Sequence, residues 1–167
     1  MAFADLALTV LVAAAEPDDR VGAVSVLTAA GHRVAAEADA AGALRRLSQG
    51  LAADVLVADE ALAGTMDGGA LAHVVSLCRP EVAIVLCSAR AAGDAPPAGA
   101  VFVYKPYPPQ ALLRVVERLA ARRAEAASTD GRAERSARGA APGGSQESGR
   151  CPPPQPTGRP KTLPAGA

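Results

Sequence analysis

Three apolar runs of the 167-residue chain end on a polar side chain: VLVA on Asp59, VAIVLC on Ser88 and VFVY on Lys105. A carboxylate, a hydroxyl and an ammonium gathered at one place can hold a phosphoryl group. The carboxylate would be the acceptor, the hydroxyl would contact a phosphoryl oxygen, and the ammonium would balance charge. Whether they gather depends on what the runs are. Val55 to Ala58 is apolar without alternation, which suits a strand covered on both faces in the middle of a parallel sheet. Asp59 then sits at the carboxyl end of that strand, the edge on which ligands bind in open α/β sheets. Asp is also a common turn residue, so this stretch alone fits a turn or a helix cap equally well.

The elements that must position these residues follow from periodicity. Thr9 to Ala13 reads as a first strand, and Glu16-Pro17-Asp18-Asp19 as a loop rich in helix-capping acids. A helix from about Asp19 to Ala30 has Val21, Val24 and Leu27 or Thr28 spaced along one face, and Gly31 stops it. A short strand over Arg33 to Ala36 and a helix over Ala40 to Leu47, ended by Gly50, lead to the Val55 to Ala58 strand. Gly69 to Leu77 is a helix closed by Arg79-Pro80, and Val82 to Cys87 is the fourth strand. Residues 89 to 100 hold Gly93, Pro96, Pro97 and Gly99, which leave room for little more than a turn of helix. Val101 to Tyr104 is the fifth strand. From Pro109 a last helix places Leu112, Val115 or Val116, and Leu119 inside, with Arg114, Arg118 and Arg122 outside. Strands alternating with helices at this spacing predict βαβ units with right-handed crossovers. The result is an α/β, flavodoxin-like, doubly wound parallel sheet of five strands with helices on both faces.

Composition bounds what such a domain does. Half the residues are apolar but aromatics supply 2%, so the core must be built from Val, Leu and Ala. Lysine plus arginine equals aspartate plus glutamate at 17 each, which gives no electrostatic case for nucleic acid or membrane binding. Cys78, Cys87 and Cys151 have no C-x-x-C spacing and read as reduced cytosolic thiols rather than a disulfide frame or zinc site. The run Leu6 to Ala15 lacks a basic segment before it and reads as a buried strand, not a secretion signal. The last 43 residues hold seven of the 14 prolines and seven of the 16 glycines, with six basic and four acidic residues. Such a segment cannot bury enough surface to offset its ordering entropy. Residues 1–123 are therefore expected to fold, with 124–167 a disordered tail in which CPPPQP, Cys151 to Pro156, resembles a polyproline II stretch.

The pieces EPDDR, DVLVADE with MDG downstream, VLCS and FVYKPY, in this order over roughly residues 8 to 121, resemble a receiver domain of two-component response regulators. The loop AGTMDG and the short segment between Ser88 and Lys105 resemble single-domain receivers of alphaproteobacterial type. The resemblance implies strand order 2-1-3-4-5 and a shortened fourth helix. It also implies a phosphoacceptor at Asp59, a switch hydroxyl at Ser88, a switch aromatic at Phe102 and a phosphate-binding lysine at Lys105. A histidine kinase or phosphotransfer protein would be the donor. A downstream protein target would meet the face of the fourth helix, fifth strand and last helix, in the cytoplasm, with no nucleic-acid or membrane partner.

The departures carry chemical weight. Where the family has two acids that help hold Mg²⁺ after the first strand, this chain has Ala14 and Ala15. Asp59 and the backbone carbonyl of Ala61 remain as protein ligands, and Glu16 is placed to point elsewhere. Magnesium binding is expected to be weakened and phosphorylation slow or absent. Ala63 stands in place of the usual proline in the next loop, which implies a looser turn. A site of three carboxylates and one lysine wants a dication. One carboxylate against one lysine sums to zero, so Asp59 and Lys105 are expected to pair directly.

Other chemistries fit less well. His32 reads as a loop residue and His73 as a helix-surface residue, neither in a zinc pattern. Ser88 lacks G-x-S-x-G, which argues against a hydrolase, and AAAEPDD is a poor flavin phosphate loop. Two readings remain: a stand-alone signalling receiver, and a pseudo-receiver acting as a phosphorylation-independent docking or competitor module. Neither is an enzyme beyond self-phosphorylation on Asp59.

Overall fold

A computed structural model describes residues 7–89 and 97–122 of the chain. The elements run β1 (Thr9–Ala13), α1 (Pro17–Ala29), β2 (Arg33–Glu37), α2 (Ala40–Ser48), β3 (Val55–Asp59), α3 (Gly68–Cys78), β4 (Ala83–Ser88) and β5 (Val101–Tyr104). A last helix, α4, follows over 109–122. The five strands form one parallel sheet, as the spacing predicts, in the order β2-β1-β3-β4-β5 that the resemblance implies. Most of the stretch 89–100 in which a short helix is expected, its residues 90–96, and the expected tail over 124–167 lie outside the described residues. Within the first, residues 97–100 form a turn in which the Ala100 amide donates to the Pro97 carbonyl at 3.1 Å.

Strand alternation divides the core into two layers. Val10, Val12, Val55, Val57, Val85, Cys87 and Val103 face α1 and α4, where they meet Ala23, Leu27, Leu112, Val116 and Leu119. Leu11, Ala13, Leu56, Ala58, Ile84 and Leu86 face α2 and α3, where they meet Ala43, Leu47, Leu71 and Val75. With both faces of β3 covered, its apolar residues have no reason to alternate with polar ones, and all five of its residues are buried.

One helix face differs from expectation. On α1 the buried residues are Ala23 and Leu27, whereas Val21 is 66% exposed. Ala23 and Leu27, four residues apart, form the stripe that packs on the sheet, and Val21 lies off that stripe, so the valines alone do not mark the inner face. Helix starts also shift: α1 begins at Pro17, whose fixed φ suits the first helical position and whose missing amide needs no partner there. Gly31 and Gly50, at φ +87° and +96°, follow α1 and α2 in the left-handed conformation that ends a helix.

Asp39 caps α2 by accepting from the Gly42 amide at 2.6 Å, and Asp67 caps α3 by accepting from the Ala70 amide at 2.8 Å. Ala63, in the loop after β3, forms an isolated parallel bridge with Asp39, so that loop is held against the start of α2. His32 takes the loop position expected, its Nδ1 accepting from the Leu8 amide at 3.4 Å, and His73 is exposed on α3. Gly22 lies inside α1, and a Cβ there would meet no atom within 4 Å. Gly22→Ala is therefore expected to stabilise the domain by about 0.5–1 kcal/mol, read as a higher urea midpoint with an unchanged slope.

Candidate functional site

β3, β4 and β5 end at one edge of the sheet, with Asp59 on β3, Ser88 on β4 and Lys105 just past β5. The Lys105 amide donates to the Ser88 carbonyl at 2.8 Å, which continues the ladder by one step and carries the lysine to the edge. Alternation then decides which side each side chain takes. Asp59 and Lys105 continue the rows of Val55 and Val57 and of Val101 and Val103, towards α1. Ser88 continues the row of Ile84 and Leu86, and Phe102 lies across from Leu86, on the other layer.

The first pair meets. Lys105 Nζ lies 2.9 Å from Asp59 Oδ2, with Asp59 5% exposed. The sum of charges expected for this pocket is corrected by a residue the sequence reading treated as a helix cap. Asp19 Oδ2, in the first turn of α1, accepts from the same ammonium at 2.5 Å. Two carboxylates thus share one lysine, and the trio sums to −1 rather than zero. The row Asp19, Ala23, Leu27, each four residues apart, explains the placement: a helix burying Ala23 and Leu27 must carry position 19 to the strand ends. Taking Val21 and Val24 as the inner face hid this.

Burial sets the protonation tendencies. Removal from water raises the Asp59 carboxyl above the ordinary carboxylate range, more than the hydrogen bond and charge of Lys105 lower it, and Asp19 and Glu16 add to the rise. Burial pulls Lys105 the other way, yet hydrogen bonds from its ammonium to Asp19 and Asp59 outweigh it and leave the lysine raised. The two directions agree physically, since Asp59 lies deeper and has one cation while Lys105 lies shallower and has two anions. Behind the pocket, the Tyr107 hydroxyl donates to Cys87 Sγ at 3.3 Å, and burial pushes the Cys87 thiol up to about 11.

Ser88, 2% exposed, turns its hydroxyl to the carboxylate of Glu60, the residue after Asp59. Glu60 was not singled out from the sequence; its adjacency to Asp59 and the shared face of residues 60 and 88 were the available signal. Phe102 is half-buried and stacks on Tyr104, with ring centroids 6.2 Å apart and planes 15° from parallel. Tyr104 itself is 57% exposed.

Ala14 and Ala15 stand at the end of β1, and their carbonyls accept from Arg20 Nη1 at 2.5 and 3.1 Å. A guanidinium therefore occupies the backbone oxygens beside which two acids would have placed a dication. Among the described residues no group of three His, Cys, Asp or Glu side chains is arranged to hold a metal ion. Ala61 is exposed in the loop after β3. Among the described residues no helix is long and apolar enough to cross a membrane.

No protein-family profile and no curated protein matches the chain. Solved structures do. A response regulator receiver protein from Sinorhizobium medicae is 30% identical, over 70% of this chain and 97% of that one, with a TM-score of 0.64. NtrX from Brucella abortus is 25% identical over 75% of this chain, with a TM-score of 0.65, and the chain spans 30% of its length. The chemotaxis protein CheY4 of Vibrio cholerae shares the fold at 21% identity, over 68% of this chain and 99% of that one, with a TM-score of 0.59. The match to the Sinorhizobium protein covers nearly the whole of a receiver at that identity, and on that ground the chain belongs to the receiver domains of response regulators, the signalling modules of phosphorelays.

Proposed function

We propose that the chain is a receiver whose Asp59 accepts a phosphoryl group from the phosphohistidine of a histidine kinase or phosphotransfer protein. The observation that carries this reading is the Asp59–Lys105 contact of 2.9 Å at the carboxyl edge of the sheet. In the transfer a carboxylate oxygen of Asp59 bonds to phosphorus, the P–N bond breaks, and its electron pair returns to the imidazole, which regains its ring nitrogen lone pair. Lys105 lies where it can balance the charge of the acyl phosphate, and the Ser88 hydroxyl must leave Glu60 to reach a phosphoryl oxygen. Phe102 responds on the same layer as Ser88, and its partner Tyr104 carries the change to the exposed end of β5, where a downstream protein would dock between the segment before β5 and α4.

Magnesium-dependent phosphorylation is impaired in this reading. The Ala14 and Ala15 carbonyls are engaged by Arg20, and Asp59 and the Ala61 carbonyl are poor ligands by themselves for an ion that wants octahedral oxygen geometry. Incubation with acetyl phosphate, with and without Mg²⁺, tests it. Wild type is expected to gain one phosphoryl group slowly and with little dependence on Mg²⁺, and Asp59→Ala to gain none, as read by intact mass. A second reading, a pseudo-receiver that docks without turning over phosphate and makes residues 1–123 a fixed recognition domain, is favoured by the carboxylate-bound state of Lys105. It predicts no mass gain from either acetyl phosphate or a phosphohistidine donor.

A further inference from the structure

The carboxylate of Asp19 has no part in the phosphoacceptor chemistry just described, yet it makes a shorter contact with Lys105 than Asp59 does, 2.5 against 2.9 Å. The lysine side chain is 22% exposed, and it already spends two of its three N–H donors on carboxylates. A phosphoryl group on Asp59 would bring further negative charge and further acceptor oxygens to the same ammonium. The two anions come from segments 40 residues apart in the chain, one on the first turn of α1 and one on β3, so they can separate without unfolding either element.

We infer that Asp19 is a positioning residue that competes with the phosphoryl group for Lys105, an internal anion that keeps the site in its unphosphorylated arrangement. The inference rests on the phosphoacceptor reading of Asp59. For phosphorylation to proceed, the ammonium must exchange the α1 carboxylate for a phosphoryl oxygen, and the first turn of α1 is released when it does. The state of Asp59 is thereby reported on the α1 face as well as through β5. The arrangement also accounts for a site that lacks the two strand-end acids: the negative charge remains at the edge, but it comes from the helix and is neutralised in part by a built-in monovalent cation.

Two readouts on the full chain test this. The first is the initial rate of phosphorylation by acetyl phosphate, followed by intact mass. Asp19→Asn is expected to raise it at least fivefold, while Asp19→Glu, which keeps the carboxylate, returns it towards wild type. The second is the ¹H–¹⁵N signal of the Lys105 ammonium, expected to be sharp in wild type and in Asp19→Glu and broadened by solvent exchange in Asp19→Asn, with the backbone amide spectrum of the core unchanged. An unaltered ammonium signal in Asp19→Asn overturns the inference, as does an unaltered phosphorylation rate in Asp19→Asn when wild type does take up phosphate. If no variant accepts a phosphoryl group from acetyl phosphate or a phosphohistidine donor, the phosphoacceptor reading fails. The proposed competition falls with it, while the ammonium signal still decides whether Asp19 holds Lys105.

Discussion

Gly68→Ala is expected to destabilise the domain by about 3 kcal/mol, at the upper end of what overpacking a close contact costs. Gly68 opens α3, and its amide donates to the Glu60 carbonyl at 3.0 Å, drawing the helix start against the end of β3. A Cβ built there would lie 2.0 Å from the Asp59 carbonyl oxygen, 2.7 Å from the Asp59 carbonyl carbon and 3.0 Å from Glu60 Cα. All three are backbone atoms, so no flexible side chain can yield. Either α3 moves outward and uncovers Leu71 and Val75, or the end of β3 moves and takes Asp59 away from Lys105. Urea denaturation gives the magnitude. Gly69→Ala is the control: its Cβ would lie 3.4 Å from Asp67 Oδ1, an ordinary contact, and the substitution is expected to be neutral or slightly stabilising.

Removing the shared cation is the second large effect. Lys105→Met leaves the Asp59 and Asp19 carboxylates facing one another with nothing between them, and Asp59 has too little water to solvate a charge. Truncating one member of a buried ion pair can cost 3–5 kcal/mol. Because Lys105 is partly exposed and Asp59 can take up a proton, about 2 kcal/mol at pH 8 is expected here. The sign with pH follows from linkage. The Asp59 carboxyl is already raised by burial, and without the ammonium it rises further. Between the ordinary carboxylate value of 3.8 and that raised value the folded state holds a proton that the unfolded state has released, so stability falls as pH rises through this window. The deficit of Lys105→Met is thus expected to shrink towards pH 5, and Lys105→Met/Asp59→Asn to recover most of it at pH 8. Thermal unfolding at the two pH values measures both.

Much of the fold was legible in the chain because the signals were of the strongest physical kind. The unalternating runs around Val57 and Val85 belong to strands covered on both faces, and the glycines at 31 and 50 stop helices where a left-handed residue is needed. The meeting of Asp59 and Lys105 followed from the same pattern, since Asp59 ends the central strand β3 and Lys105 sits one step past the edge strand β5. Asp19 did not follow. Its role depends on which face of α1 is buried, and with Ala23 inside and Val21 outside, hydrophobicity pointed to the wrong face. Glu60 was missed for a different reason. A glutamate beside the key aspartate reads as solvated, and its tie to Ser88 arises from a register in which β3 and β4 bring residues 60 and 88 to the same layer.

The bridge of Asp19, Lys105 and Asp59 spans 86 residues between its outer members in sequence order. Loop closure over such separations is settled late in folding, after the local helices have formed. A nascent chain that has emerged only as far as β4 therefore carries Asp59 with no cation near it, and nothing resembling the finished pocket. The ion pair at the strand ends and the last parallel pairing of the sheet are thereby completed together, so Asp59 stays uncompensated by Lys105 until β5 is in place.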